Sequence, residues 1–272
     1  MPTDAPSPTD EPTRGPSDGR SRGPVHAIGA GLRDAGGLLR RRGVLLTGGL
    51  VLCMCWDRAA YLGLSVGASL GDPAAQQARK SALEHLPLFA GVKFLGEVYL
   101  PLALAGVLLV VDMVRARRTG AGRFWDFALR RATLLALTPL LAGGLAELCK
   151  GVLRRERPLI ALDESKLGGW YHFRWWWDGP LDWSGLGMGS SHAAVALAWA
   201  LVLGGFFPAA RWVFVGLALC VGASRVLAGA HFVSDVYIGY VCAWLAFVTL
   251  RGADEFNHGG PEREEREGAA GE

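Results

Sequence analysis

Three short clusters hold residue types suited to chemistry on an anion. The first is Lys150-Gly-Val-Leu-Arg-Arg-Glu-Arg157-Pro158. The second is Gly189-Ser190-Ser191-His192. The third is Ser224-Arg225, then His231 and Asp235. Lys150 and Arg157 stand seven apart, nearly on one helical face if the helix persists. Pro158 disfavours helix at Arg157, so the helix should end there and free that guanidinium. With Arg225 they form a cradle for phosphate, since a guanidinium can bind two oxygens at once. Ser190 and Ser191 precede an apolar run and fit the cap of its first turn. A helix start offers unpaired N–H groups and the positive end of a dipole, so an anion can sit there without a metal.

His231 and Asp235 are four apart and share one helix face. Asp235 can hold one ring nitrogen of His231 and leave the other to attack phosphorus. His192 is a second imidazole, able to protonate the leaving oxygen. The competing reading is a satisfied His231–Asp235 polar pair with His192 incidental. Charged groups near membrane depth are costly and usually functional, which favours chemistry. A metal held by His192, His231 and Asp235 lacks a further ligand, and three nearby cations would repel it.

The elements that must position these clusters are apolar. The chain has 272 residues, of which 51% are hydrophobic and only 19% charged. A soluble domain carries roughly a quarter charged residues. This composition excludes a disordered chain, collagen and a disulfide-rich secreted scaffold. A net charge of +3, with no basic stripe interleaved with aromatics, gives no support for a nucleic-acid partner. Cys53, Cys55, Cys149, Cys220 and Cys242 are scattered through apolar segments without zinc-ribbon spacing and read as buried free thiols.

Six segments approach the ~20 apolar residues of a bilayer-crossing helix. They are 43–56 (short), 86–111, 124–149, 191–207, 211–228 and 233–250. The fold class is therefore all-α, a polytopic membrane protein of six transmembrane helices in a bundle with disordered polar tails. Residues 1–42 read as a disordered, basic cytoplasmic tail, 43–250 as the membrane domain, and 251–272 as a disordered acidic tail. The start of the chain does not read as a signal peptide, because no apolar region closely follows its first basic residues. Arg40–Arg42, Arg115, Arg117, Arg118, Arg123 and Arg211 fall on one side, assigned to the cytoplasm with both termini. The three clusters then face the extracytoplasmic side of the plasma (inner) membrane. Lys150, Arg154, Arg155 and Arg157 break the positive-inside pattern there, which implies a task for them.

Residues 169–183 contain Trp170, Trp175, Trp176, Trp177 and Trp183, with Tyr171, Phe173 and Arg174. They read as an interfacial aromatic belt, with a lid over a lipid substrate as the sharper alternative. Lys93 and Glu97 are spaced for an ion pair within the second span, or else line a substrate entrance. Gly185, Gly187 and Gly189 follow no strand and read as hinge residues.

The three clusters resemble the signature of the type 2 phosphatidic acid phosphatase superfamily, whose motifs read Lys-x6-Arg-Pro, Pro-Ser-Gly-His and Ser-Arg-x5-His-x3-Asp. The first and third match at every fixed position. The second has Gly189 for the usual Pro and Ser191 for the usual Gly, keeping Ser190 and His192. The resemblance implies a metal-independent phosphohydrolase with no cofactor. Lys150, Arg157, Ser190, the Ser191 N–H and Arg225 would bind phosphate. His231 would form a phosphohistidine, Asp235 would orient it, and His192 would protonate the leaving group. Its partners would be a membrane lipid phosphate or diphosphate and the bilayer, with oligomeric state left open. Undecaprenyl diphosphate, phosphatidic acid, phosphatidylglycerol phosphate and lipid A are all within reach. A phosphotransferase using the same histidine and a non-catalytic phosphate-lipid binding or transport protein are the alternatives.

Overall fold

The computed structural model describes residues 24–64, 73–119, 123–158, 173–179 and 183–258. Among them the chain forms eight α-helices: α1 (Pro24–Leu64), α2 (Pro73–His85), α3 (Pro87–Leu95), α4 (Tyr99–Thr119), α5 (Arg123–Leu153), α6 (Ser191–Phe206), α7 (Arg211–Leu227) and α8 (Val233–His258). Five helices are long and apolar enough to cross a membrane: Gly31–Tyr61, Tyr99–Arg118, Ala128–Leu153, Pro208–Leu227 (with the 3₁₀ turn before α7) and Val233–Gly252. The sixth expected span, Ser191–Phe206, is a shorter apolar helix of 16 residues. The protein is an all-α polytopic membrane protein.

α6 is the hub. Its Ala193, Ala194, Ala196, Ala198 and Ala200 are all fully buried. Lipid tails are as apolar as leucine, so close packing of small side chains, rather than exclusion of water, brings membrane helices together. Ala142 and Ala146 of α5, Ala194 and Ala198 of α6, and Ala243 and Ala246 of α8 form one such seam. A second cluster joins Leu135, Trp199, Val202 and Val221. α1 runs antiparallel to α8: Tyr237 donates its hydroxyl to the Leu46 carbonyl, and Ser234 meets Asp57.

Several expectations need correction. Residues 24–42 are helical rather than part of a tail. They are rich in Ala, Leu and Arg, good helix formers, and Ala35 is buried. α8 likewise continues past residue 250 to His258. The run 86–111 is not one helix. It breaks after Leu95, where the Trp199 indole N–H is donated to the Leu95 carbonyl and Gly96 lies against His192. A Cβ at Gly96 would come within 2.9 Å of the His192 backbone oxygen, so only glycine permits this approach. Cys242 alone of the five free cysteines is buried; Cys55 and Cys220 lie on outward faces. The expected tails at 1–23 and 259–272, Trp170, Tyr171 and the Arg123 side chain lie outside the described residues.

Candidate active site

The three clusters meet at one end of the bundle, where α5 ends and α6 and α8 begin. α5 stops with Arg154 in the left-handed region (φ 48°), its N–H donated to the Lys150 carbonyl. This is a left-handed helix cap, unusual in lacking glycine. The chain then runs antiparallel to residues 185–187. The Arg157 N–H reaches the Gly185 carbonyl, the Gly187 N–H reaches the Arg155 carbonyl, and Arg157 Nε donates to the Leu186 carbonyl. The first cluster is thus fastened to the loop that leads into the second.

Lys150 is buried and donates to Glu147 at 2.5 Å and to Ser191 Oγ at 3.3 Å, linking α5 to α6. Ser190 sits at the N-cap of α6, but its hydroxyl makes no capping bond, contrary to the expected cap. Instead Ser190 Oγ is fully buried with no hydrogen-bond partner among the described residues, as is Arg225 Nε. Two buried, uncommitted donors beside a helix start suit an oxyanion. Arg157 lies close enough to Arg225 that burial, then the second guanidinium, disfavours its charged form.

His231 lies between α7 and α8 and is buried. Its Nδ1 is 3.0 Å from the Gly187 carbonyl oxygen. A carbonyl only accepts, so Nδ1 carries the proton and the neutral ring presents its Nε2 lone pair. Burial, then the charges of Arg157, Arg225, Lys150 and His192, hold the His231 pKa well below its ordinary value. Asp235 Oδ2 stands farther from Nδ1, at 3.6 Å. The four-residue spacing of His231 and Asp235 predicts direct hold of the ring by the carboxylate. The difference arises because that carboxylate is already committed, Oδ2 to the Phe232 N–H (2.9 Å) and Oδ1 to Arg155 (3.3 Å). Gly187 has no side chain to keep its backbone away; a Cβ there would come within 3.0 Å of Asp235 Oδ2.

Other groups at the site were missed or misassigned from sequence. Lys93 and Glu97 do not pair with each other. Lys93 binds Glu84 of α2 at 3.2 Å, and Glu97 sits 3.1 Å from His192 Nε2. Glu84 also receives Arg225 at 3.2 Å. Burial pushes the Glu84 carboxyl up, but Arg225 and Lys93 outweigh it and hold the group below its ordinary value. Lys80, one turn before Glu84, is pulled down by burial and by Arg157. Nothing in the polar run 73–85 marks it as an element of this site; only the fold brings it there.

The unexpected basic residues have structural partners. Arg154 donates to the Trp175 and Gly179 carbonyls and lies over the Trp176 ring at 5.7 Å. Arg174 binds Glu156 at 2.7 Å. The exposed Trp175 and Trp177 stack at 5.2 Å. Among the described residues, no three His, Cys, Asp or Glu side chains converge as metal ligands.

The segment 131–256 matches the family model of the PAP2 superfamily and contains all three clusters. No curated protein matches the chain. Among solved structures, a similar chain is the first transmembrane PAP2 type phosphatidylglycerolphosphate phosphatase from Bacillus subtilis. It is 22% identical, with 76% of this chain and 96% of that chain covered and a TM-score of 0.38. Residues 131–256 of this chain are thus similar to the PAP2 superfamily.

Proposed function

We propose that the protein is a phosphohydrolase of the membrane that removes phosphate from a lipid phosphate or diphosphate. It would work without a metal or cofactor, through a phosphohistidine at His231. The observation that carries this reading is the His231 imidazole, whose Nδ1–H is fixed on the Gly187 carbonyl beside Arg157 and Arg225. A protein that only binds phosphate has no use for an oriented nucleophile.

Lys150, Arg157, Arg225, Ser190 Oγ and the Ser191 N–H hold the phosphate oxygens. His231 Nε2 attacks phosphorus, and the bond from phosphorus to the leaving oxygen breaks. His192 gives that oxygen its proton, and Glu97 holds the imidazole in place at 3.1 Å. Water then attacks the phosphohistidine, losing its proton to His192. The phosphorus–nitrogen bond breaks and inorganic phosphate leaves. The cations supply the charge stabilisation that phosphoryl transfer needs.

The site end lies opposite Arg115, Arg117, Arg118 and Arg211, and the positive-inside rule supports an active site on the extracytoplasmic face of the plasma membrane. The reading is tested by phosphate release from a panel of lipid phosphates in EDTA, wild type against His231→Ala. Release by wild type alone supports it. Equal release by both proteins, or loss of wild-type activity in EDTA, overturns it.

A further inference from the structure

Cys149 of α5 and Cys242 of α8 place their sulfurs 3.9 Å apart, in contact across the helix interface. They stand in the seam of small side chains between α5, α6 and α8. Ala142 and Ala146 precede Cys149 on one helix, and Ala243 and Ala246 follow Cys242 on the other. Since α5 ends at the phosphate site and α8 begins there, both cysteines lie on the site side of those alanines. Cys149 adjoins Lys150 in the chain, and a Cβ at Gly189 would stand 3.4 Å from the Cys149 Cβ. Cys242 lies seven residues beyond Asp235 on α8, ~10 Å at helical rise.

We propose that Cys149 and Cys242 are the two halves of a disulfide that fastens α5 to α8 when the chain meets a disulfide oxidant. A disulfide needs Cα atoms about 4.4–6.8 Å apart. An alanine seam permits that approach, because small side chains let membrane helices pack backbone to backbone. The sulfurs must then close by about 2 Å to bond. Exchange begins at Cys149, which is half-buried, whereas Cys242 is buried. The Cys149 thiol gives up its proton, and its sulfur attacks the S–S bond of the oxidant, which breaks and releases one thiol. Cys242 loses its proton in turn and attacks the Cys149 sulfur of the mixed disulfide, expelling the second thiol. Two protein thiols become one disulfide, and the oxidant is reduced to two thiols. The bond spans 93 positions of sequence and removes that freedom from the unfolded chain. It joins the helix that carries Lys150 to the helix that carries Asp235, so oxidation fixes the spacing of two halves of the site. The inference does not depend on the phosphatase reading.

The test treats two full-length proteins in non-ionic detergent with dithiodipyridine: wild type, and Cys53→Ala/Cys55→Ala/Cys220→Ala, which keeps only the pair. Peptide mapping by mass spectrometry should find Cys149 joined to Cys242 in both. The triple variant should release two thiopyridones per chain and retain no pyridyl group. Its Tm, followed by tryptophan fluorescence, should rise by about 5 °C or more and fall back with dithiothreitol. Adding Cys242→Ala should leave one stable adduct on Cys149 and no rise. His231→Ala should form the bond as fully as wild type does. Pyridyl adducts retained on both cysteines, two unreacted thiols, or a bond from either to another cysteine would overturn the proposal. The wild-type map decides this even where the triple variant misfolds. A joined pair with an unchanged Tm would overturn the fastening of α5 to α8.

Discussion

The guanidinium of Arg155 joins Asp235 to the first helix: Nη1 lies 3.3 Å from Asp235 Oδ1, and Nη2 lies 2.9 Å from Asp57 Oδ2. Ser234 closes the group, receiving Arg155 Nη1 and donating to Asp57 at 2.5 Å each, and its N–H also reaches Asp57. All four side chains are almost wholly buried. An ion network at this depth cannot lose one member cheaply; an uncompensated buried charge costs about 3–5 kcal/mol.

Asp57→Asn keeps the shape but removes the charge opposite Arg155. Asp235 should then be drawn off its position beside His231. We expect kcat to fall about 10- to 100-fold, the cost of a small misplacement at a reacting group, with KM little changed. Steady-state kinetics with a Tm measurement separates this from simple unfolding. An unchanged kcat in a folded variant would show that Asp57 only anchors α1.

Glu97→Gln addresses the other imidazole. If Glu97 holds His192 as the proton donor, the loss should grow with the difficulty of expelling the leaving group. Alkyl phosphates should suffer about tenfold or more, and p-nitrophenyl phosphate, whose leaving oxygen needs little protonation, far less. His192→Ala should show the same pattern more strongly. A uniform loss across leaving groups would assign Glu97 to substrate binding.

Gly189 occupies the position where the family motif has proline, which invites the substitution Gly189→Pro. Its φ is 94°, whereas proline is locked near −65°. A Cβ there would also stand 2.7 Å from the Ala146 carbonyl oxygen. Matching the motif should therefore abolish activity rather than improve it. Gly189→Ala should cost at least about 1 kcal/mol of stability from the backbone conformation alone. A fully active Gly189→Pro protein would show that this loop takes another path.

The pH profile has a worked sign. Burial and its cationic neighbours lower the His231 pKa, so the neutral nucleophile persists below the ordinary histidine range near 6.5. The acid limb of kcat/KM should lie below that value. Arg157→Gln removes one repelling cation, which raises the His231 pKa and moves the limb to higher pH, besides weakening phosphate binding. An unmoved limb would assign it to another group.

The candidate site was legible because each cluster is local: Lys150 to Arg157 and Gly189 to His192 each lie at one helix end, and Ser224 to Asp235 spans one helix end, a turn and the next helix start. Helix direction then brings the ends together, as four consecutive antiparallel helices require. Groups that act through tertiary contact left no local trace. Asp57 and Ser234 are 177 positions apart, and Glu84 and Arg225 are 141 apart. The break after Leu95 was hidden because Lys93, Gly96 and Glu97 interrupt the apolar run only briefly, and 86–111 still has the length of a single span. Only packing against His192 and Trp199 separates α3 from α4. The reach of α1 and α8 beyond the apolar core was hidden by polar composition, which shapes hydropathy more than helix propensity.

The most direct measurement of the central claim is acid-quench trapping of the enzyme during turnover of a lipid phosphate labelled with radioactive phosphorus. The account predicts label on His231, stable in base and lost in acid, accumulating within a turnover and absent from His231→Ala. Turnover with no label on His231, or label on another residue, would contradict it.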